Sequence, residues 1–162
     1  MYHRNMSWMV AGWLAVMGLP AWAGPEEEAI RHTIVQTTQA IVDFSTTRDR
    51  QSVLGLYAKD YGGIQDGEAE SLDAVHAWLE EYEAQLQQGS PVRYAGEISD
   101  LRIRVSGATA WATYRYVFQM LNAGQSQGED RGLCTNILQK EAAGWVVQHE
   151  HCSKTRGPKS GR

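Results

Sequence analysis

Two periodicities divide the chain. Between residues 25 and 88 apolar side chains recur at three- and four-residue steps, and from residue 94 onward they alternate with polar ones, so helices precede strands. Pro25 with Glu26, Glu27 and Glu28 suits the positive end of a helix dipole, and Ile30, Ile34, Thr37, Ile41 and Phe44 carry one face on to Ser45. Asp49 can cap a short second helix bearing Val53, Leu54, Leu56 and Tyr57, which the glycines of Tyr61–Gly67 stop. That glycine-rich segment reads as a short strand or hairpin. Ser71 opens a third helix with Leu72, Val75, Leu79, Tyr82 and Leu86 on one face, ended by Gly89-Ser90-Pro91.

Four strands follow, at Tyr94–Val105, Thr109–Leu121, Arg131–Lys140 and Trp145–Ser153, which makes the class α+β with an antiparallel meander curling over the helices. A turn at Gly107-Ala108 sets Val105 opposite Ala110, Ile103 opposite Ala112, Leu101 opposite Tyr114 and Ser99 opposite Tyr116 on the apolar, helix-covered face. The reverse face then carries Asp100, Arg102, Arg104, Trp111, Thr113 and Arg115. In the last hairpin a three-residue turn pairs Ile137 with His149 and Thr135 with His151 on the helix-covered face, and Cys134 with Cys152 on the reverse. Strict alternation puts Trp145, Val147, His149 and His151 on one face, a core wall that ends in two imidazoles.

Composition changes this picture mainly at the ends. The 162 residues are one domain's worth, with 43% hydrophobic content. His3 and Arg4 precede an apolar run from Met6 to Leu19, then Pro20 and Ala21-Trp22-Ala23, which reads as a secretory signal peptide over residues 1–23. A membrane anchor is the alternative, although the run is shorter than the roughly 20 apolar residues a spanning helix needs. The domain itself is placed at residues 24–155, with 156–162 a disordered basic tail. Export implies a periplasmic or secreted protein with no membrane contact after cleavage. Of the 15 Lys and Arg one, Arg4, lies in the leader, so 19 acidic residues outnumber the bases of the domain and nucleic acid is a poor partner. Export, an even cysteine count of two and the hairpin register together predict a Cys134–Cys152 disulfide.

The segment Asp60-Tyr61-Gly62-Gly63-Ile64, the hairpin from Ser99-Asp100-Leu101 through Ser106-Gly107 to Ala110-Trp111-Ala112, and the ending Gly144-Trp145-Val146-Val147 to His149-Glu150-His151-Cys152-Ser153 carry a resemblance. Over residues 26–155 the chain resembles the nuclear transport factor 2-like superfamily, and more narrowly its SnoaL-like branch. Its ending is also similar to that of the calcium/calmodulin-dependent kinase II association domain. The resemblance implies three helices in the concave face of a strongly bent sheet, a cone-shaped, cystatin-like fold. It also implies a pocket at the open end and a homodimer formed through the outer sheet face with Arg102, Arg104, Trp111 and Thr113; no cofactor is expected. Members include ketosteroid isomerases, polyketide cyclases, dehydratases and assembly modules, so the fold does not select an activity. Where relatives carry Arg-x-Thr on the strand before the last, this chain has Arg131-Gly132-Leu133-Cys134-Thr135.

Candidate chemistry gathers around a polar cluster in an apolar cone: Glu97, Tyr114, Tyr116, Arg131, Thr135, His149 and His151. Two histidines two apart on a strand can face one substrate, but a metal needs a third protein ligand and His32 and His76 do not converge, so no metal is expected. Histidines that merely cap the core are the plain alternative. Proton-transfer chemistry needs a carboxylate base and hydroxyl donors, for which Asp60, Asp66 and Glu97 are rim candidates and Tyr114 and Tyr116 the donors. No serine or cysteine sits in a nucleophile elbow, and Gly62-Gly63 lacks the lysine and helix of a phosphate loop. The expectation is an exported domain binding a small apolar or anionic ligand. The alternatives are an isomerase, dehydratase or cyclase using a carboxylate or histidine base, and a protein-binding scaffold.

Overall fold

A computed structural model describes residues 24–155, running α1 (Pro25–Thr47), α2 (Arg50–Leu54), β1 (Tyr57–Gln65), β2 (Glu68–Ser71), α3 (Leu72–Gln87), β3 (Val92–Ser106), β4 (Thr109–Asn122), β5 (Gln125–Glu141) and β6 (Gly144–Lys154). The signal-peptide and tail readings lie outside these residues. The helix starts follow the residues that mark them in the sequence. Asp49 accepts hydrogen bonds from the backbone N–H of Gln51 at 3.0 Å and Ser52 at 3.2 Å, and Ser71 Oγ accepts from Ala74 N–H at 3.2 Å. No helix among the described residues is long and apolar enough to cross a membrane.

The strands form one sheet in the order β2-β1-β6-β5-β4-β3, antiparallel throughout except for the parallel pairing of β1 with β6. Helices cover its concave face. α1 is tied to β6 where Thr33 Oγ1 donates to the Trp145 carbonyl at 3.2 Å, and Ile30, Ile34, Phe44, Leu79, Leu138 and Val147 are fully buried between the layers. Each such side chain contributes about 1.5–3 kcal/mol by leaving water. The fold class expected from the periodicities is the one observed. β5 begins at Gln125, six residues earlier than the pattern predicts, because the far end of the β4–β5 hairpin is exposed and polar and has no alternation to read. Ala123 and Gly124, both at positive φ (49° and 79°), close it as a tight turn.

Two single-residue bulges reset which side chains face the helices. Near Gly107 the predicted register holds, with Val105 opposite Ala110 and Ile103 opposite Ala112. At Asp100, whose φ is 54°, β3 gains a residue, so Ser99 pairs with Arg115 and Ile98 with Tyr116. The Arg115 guanidinium donates to Asp100 Oδ2 at 2.9 Å and holds the bulge. Ser99 opposite Tyr116 is therefore wrong, and Glu97, opposite Val117, points to the outer face. The second bulge is at Gln148. The β5–β6 turn has two residues, not three, and the register gains its missing residue between the Leu138–Val147 and Ile137–His149 pairs. Pairings beyond the bulge come out as predicted, but facing is inverted. Trp145 and Val147 face the core, and past the extra residue Glu150 and Cys152 do, while His149 and His151 turn outward.

Candidate functional site

The bulge at Gln148 puts a carboxylate where strict alternation puts imidazoles. A cavity of about 560 Å³ opens between the concave face of the sheet and the side chains of α1 and α3, including Thr37, Ile41, Val75 and Trp78. Its floor is read from cross-strand register. One row runs Ala112, Asn136, Glu150, Gly63 and Glu70 across β4, β5, β6, β1 and β2, and the next sets Tyr114 beside Cys134, Cys152 and Gln65. Gly63 thus separates two acids, and its lack of a side chain is required. A Cβ there would stand 2.5 Å from Tyr61 Oη, so the Tyr61 ring lies over the bare backbone and donates its hydroxyl to Glu70 Oε2 at 2.9 Å. Gly132 likewise clears the space taken by the Tyr116 ring.

Glu150 is held from two sides. Its Oε2 accepts from Asn136 Nδ2 at 2.9 Å and from the Tyr114 hydroxyl at 3.2 Å, with Asn136 Oδ1 a second acceptor for that hydroxyl at 3.4 Å. Asn136 is completely buried. The carboxyl is packed round by protein yet keeps part of its surface open to the cavity. Burial raises its pKa above the ordinary glutamate value of 4.5, and nearby Glu70 adds to this, while the Asn136 and Tyr114 hydrogen bonds and His149 pull it back. Burial also drives the hydroxyls of Tyr57, Tyr61 and Tyr114 well above the tyrosine range, with Glu150 as the second cause in each, so all three are neutral proton donors at any working pH. A carboxylate that shares its site with neutral hydroxyl donors is equipped to take a proton from one atom of a ligand while the donors hold charge building on another.

Cys134 and Cys152 are joined by a disulfide, Cα to Cα 4.1 Å, as the register predicts. They lie on the inner face and line the cavity, not on the reverse face, because β5 presents Cys134, Asn136 and Leu138 inward. Of the expected pocket residues Tyr114 and Tyr116 are in the cavity wall. Glu97 and Arg131 are not. They lie with Gln119 in an adjoining depression of about 330 Å³, which shares Val117 and Glu129 with the cavity, and Arg131 is paired to Glu129. Thr135 and His151 are exposed and His149 half-buried on the outer face, where Trp111, Leu133 and Ile137 also show 45%, 49% and 40% of their surfaces. The rim acids do not reach the cavity either: Asp60 is exposed, and Asp66 is paired with Lys154 at 3.2 Å. Sequence reasoning missed Glu150, Glu70, Asn136, Tyr57, Tyr61 and Trp78. The one signal available for Glu150 was an acid set between two histidines on a strand, and its facing turned on the unmarked bulge.

A family model for the SnoaL-like domain matches residues 34–156. No curated protein matches the chain. Among solved structures, a protein of the nuclear transport factor 2-like kind with a cystatin-like fold from Novosphingobium aromaticivorans is 18% identical over 83% of this chain and 85% of its own, with a TM-score of 0.62. A protein of unknown function from Mycobacterium tuberculosis is 16% identical over 82% and 78%, TM-score 0.65. A protein from Xanthomonas campestris described as a calcium/calmodulin-dependent protein kinase II association domain is 18% identical over 92% and 100%, TM-score 0.62. At these identities the likeness is one of fold.

Proposed function

The chain belongs to the SnoaL-like domain family, and from that premise we propose that it binds a small molecule in the concave cavity and transfers a proton there, with Glu150 as the acid or base. The reaction class is isomerisation, dehydration or cyclisation, the chemistry that a carboxylate set against hydroxyl donors serves. The observation that carries this reading is the position of Glu150: a burial-perturbed acid, open to a cavity of about 560 Å³, with Asn136 and Tyr114 fixing its orientation. Tyr114 and Tyr57 supply neutral donors beside it. The histidines favoured by strict alternation lie on the outer face and do not line the cavity.

The domain is read as exported after loss of residues 1–23, in keeping with its disulfide. The outer face, with Arg102, Arg104, Trp111 and Thr113 beside Leu133 and Ile137, is read as a two-fold contact with a second copy. A generic proton-abstraction probe tests the central role. In nitrobenzisoxazole the ring C–H proton passes to the base, its electron pair forms the nitrile, and the N–O bond breaks to leave a phenolate. The wild type should accelerate this over free acetate, with a rate that rises with pH through a midpoint above 4.5, and Glu150→Gln should abolish the acceleration. Equal rates in the two proteins, or no acceleration in either, contradict the proposal.

A further inference from the structure

The sign of the charges around the cavity is uniform. Its lining includes four carboxylates, Glu70, Glu129, Asp130 and Glu150, and no lysine, arginine or histidine. The two at the rim are already neutralised, Glu129 by Arg131 and Asp130 by Lys154 at 3.1 Å. The two on the floor are not. Glu70 and Glu150 accept hydrogen bonds from Tyr61, Asn136 and Tyr114, but neither pairs with a cationic side chain among the described residues. His149, which pulls the Glu150 pKa down, lies on the opposite face of the sheet. Arg48 and Arg93 act on Tyr82, and none of the three is part of the lining.

The remaining walls are aromatic. Tyr57, Trp78, Tyr94, Tyr114, Tyr116 and Phe118 line the space, and Trp78, Tyr94 and Phe118 form a continuous bank with centroid separations of 5.7 Å and 5.2 Å. Ring faces are the negative part of an aromatic quadrupole and attract cations, most strongly where water is excluded. Two carboxylates deprived of counter-ions and an aromatic bank therefore favour the same kind of guest. An anion would meet repulsion from Glu70 and Glu150 with no basic group to offset it, since Arg131, His149 and His151 lie outside.

We propose that the cavity selects an organic cation, an amine or quaternary ammonium joined to a flat apolar body, with the positive group on the cavity side of Glu70 and Glu150 and the body against Trp78, Tyr94 and Phe118. This rests on the cavity being the functional site and adds the charge class of the ligand. It replaces the apolar or anionic ligand expected from the sequence.

The test compares three probes of similar size: benzyltrimethylammonium, its neutral isostere neopentylbenzene, and the anion phenylacetate, with binding followed by tryptophan fluorescence and by NMR shifts of cavity methyl groups. Benzyltrimethylammonium should bind about tenfold or more tighter than neopentylbenzene, and phenylacetate should bind weakest. Glu70→Gln and Glu150→Gln should each reduce that preference, while Trp78→Leu should weaken the cation with both acids intact. Neopentylbenzene or phenylacetate binding as well as the cation overturns the charge assignment and leaves the ligand-pocket reading standing. If none of the three binds, the charge assignment falls, and the nitrobenzisoxazole assay then decides whether the pocket reading falls with it.

Discussion

Replacing both Cys134 and Cys152 by alanine should cost the domain about 3 kcal/mol of stability. The two residues are 18 apart in sequence, and in the chain-entropy model closing a loop of that length in the unfolded state is worth about 3 kcal/mol. The location sharpens the expectation. The pair sits at the centre of the inner layer, 5% and 4% exposed, where β6 is paired to β5 on one side and to β1 on the other. Alanine keeps the Cβ atoms and adds no buried polar group, so lost packing adds little beyond the loop effect. With a urea m-value of about 2 kcal/mol per molar, the denaturation midpoint should fall by about 1.5 M. The assay is equilibrium unfolding of the wild type and the double variant, each produced in an oxidising compartment, with intact-mass analysis after alkylation without reduction. A midpoint shift below about 0.5 M means the bond does not restrict the unfolded chain as argued. Two alkyl additions to the wild type would mean that the bond is absent and would remove one support for the proposed export.

Asn136→Ala leaves Glu150 with the Tyr114 hydroxyl as its remaining side-chain donor, at a cost of about 1–3 kcal/mol, and should raise the Glu150 pKa further, both read from a pH series of urea melts. Glu150→Gln should flatten part of the pH dependence of stability. Because burial raises the folded-state pKa, the native state holds the proton more tightly than the unfolded state, so Glu150 makes the wild type lose stability as pH rises from 4.5 through the raised value. Melting curves should show the variant gaining on the wild type over that window, and parallel curves would refute the burial argument. Trp111→Glu places a charge at the middle of the outer face and should shift the species seen by light scattering from dimer to monomer, whereas a monomeric wild type excludes the two-fold contact.

Elements were legible where the signal is local. Asp49 and Ser71 cap the helices because their oxygens reach backbone donors two or three residues on, which sequence spacing alone specifies. Ile103 with Ala112 was legible because counting back from the Gly107 turn fixes it, and Cys134 with Cys152 came out right because the bulge at Gln148 offsets the shorter turn. Facing beyond a bulge was not legible. A two-residue turn followed by an extra residue at Gln148 gives the same pairings as a three-residue turn, but it exchanges the sides of His149 and Glu150. No residue type marks that insertion, since glutamine carries no preference for a bulge. Asp100 was a weaker case of the same kind. An aspartate followed by alternating Leu101, Arg102 and Ile103 reads as ordinary strand, and the cost of its positive φ is offset only by the hydrogen bond from Arg115 on the neighbouring strand. Glu70 and Tyr61 stayed hidden for another reason. Their contact depends on the empty space at Gly63, and the sequence offers that glycine equally well as a turn residue.

Side-chain carboxyl NMR of protein labelled with carbon-13 at the glutamate Cδ tests the site most directly. One glutamate resonance should titrate with a midpoint above the ordinary 4.5, disappear from the spectrum of Glu150→Gln, and move its midpoint downward when benzyltrimethylammonium is added. If every glutamate titrates in the ordinary range, or if the raised resonance survives in Glu150→Gln, the cavity holds no perturbed acid at that position and the assignment of the site is wrong.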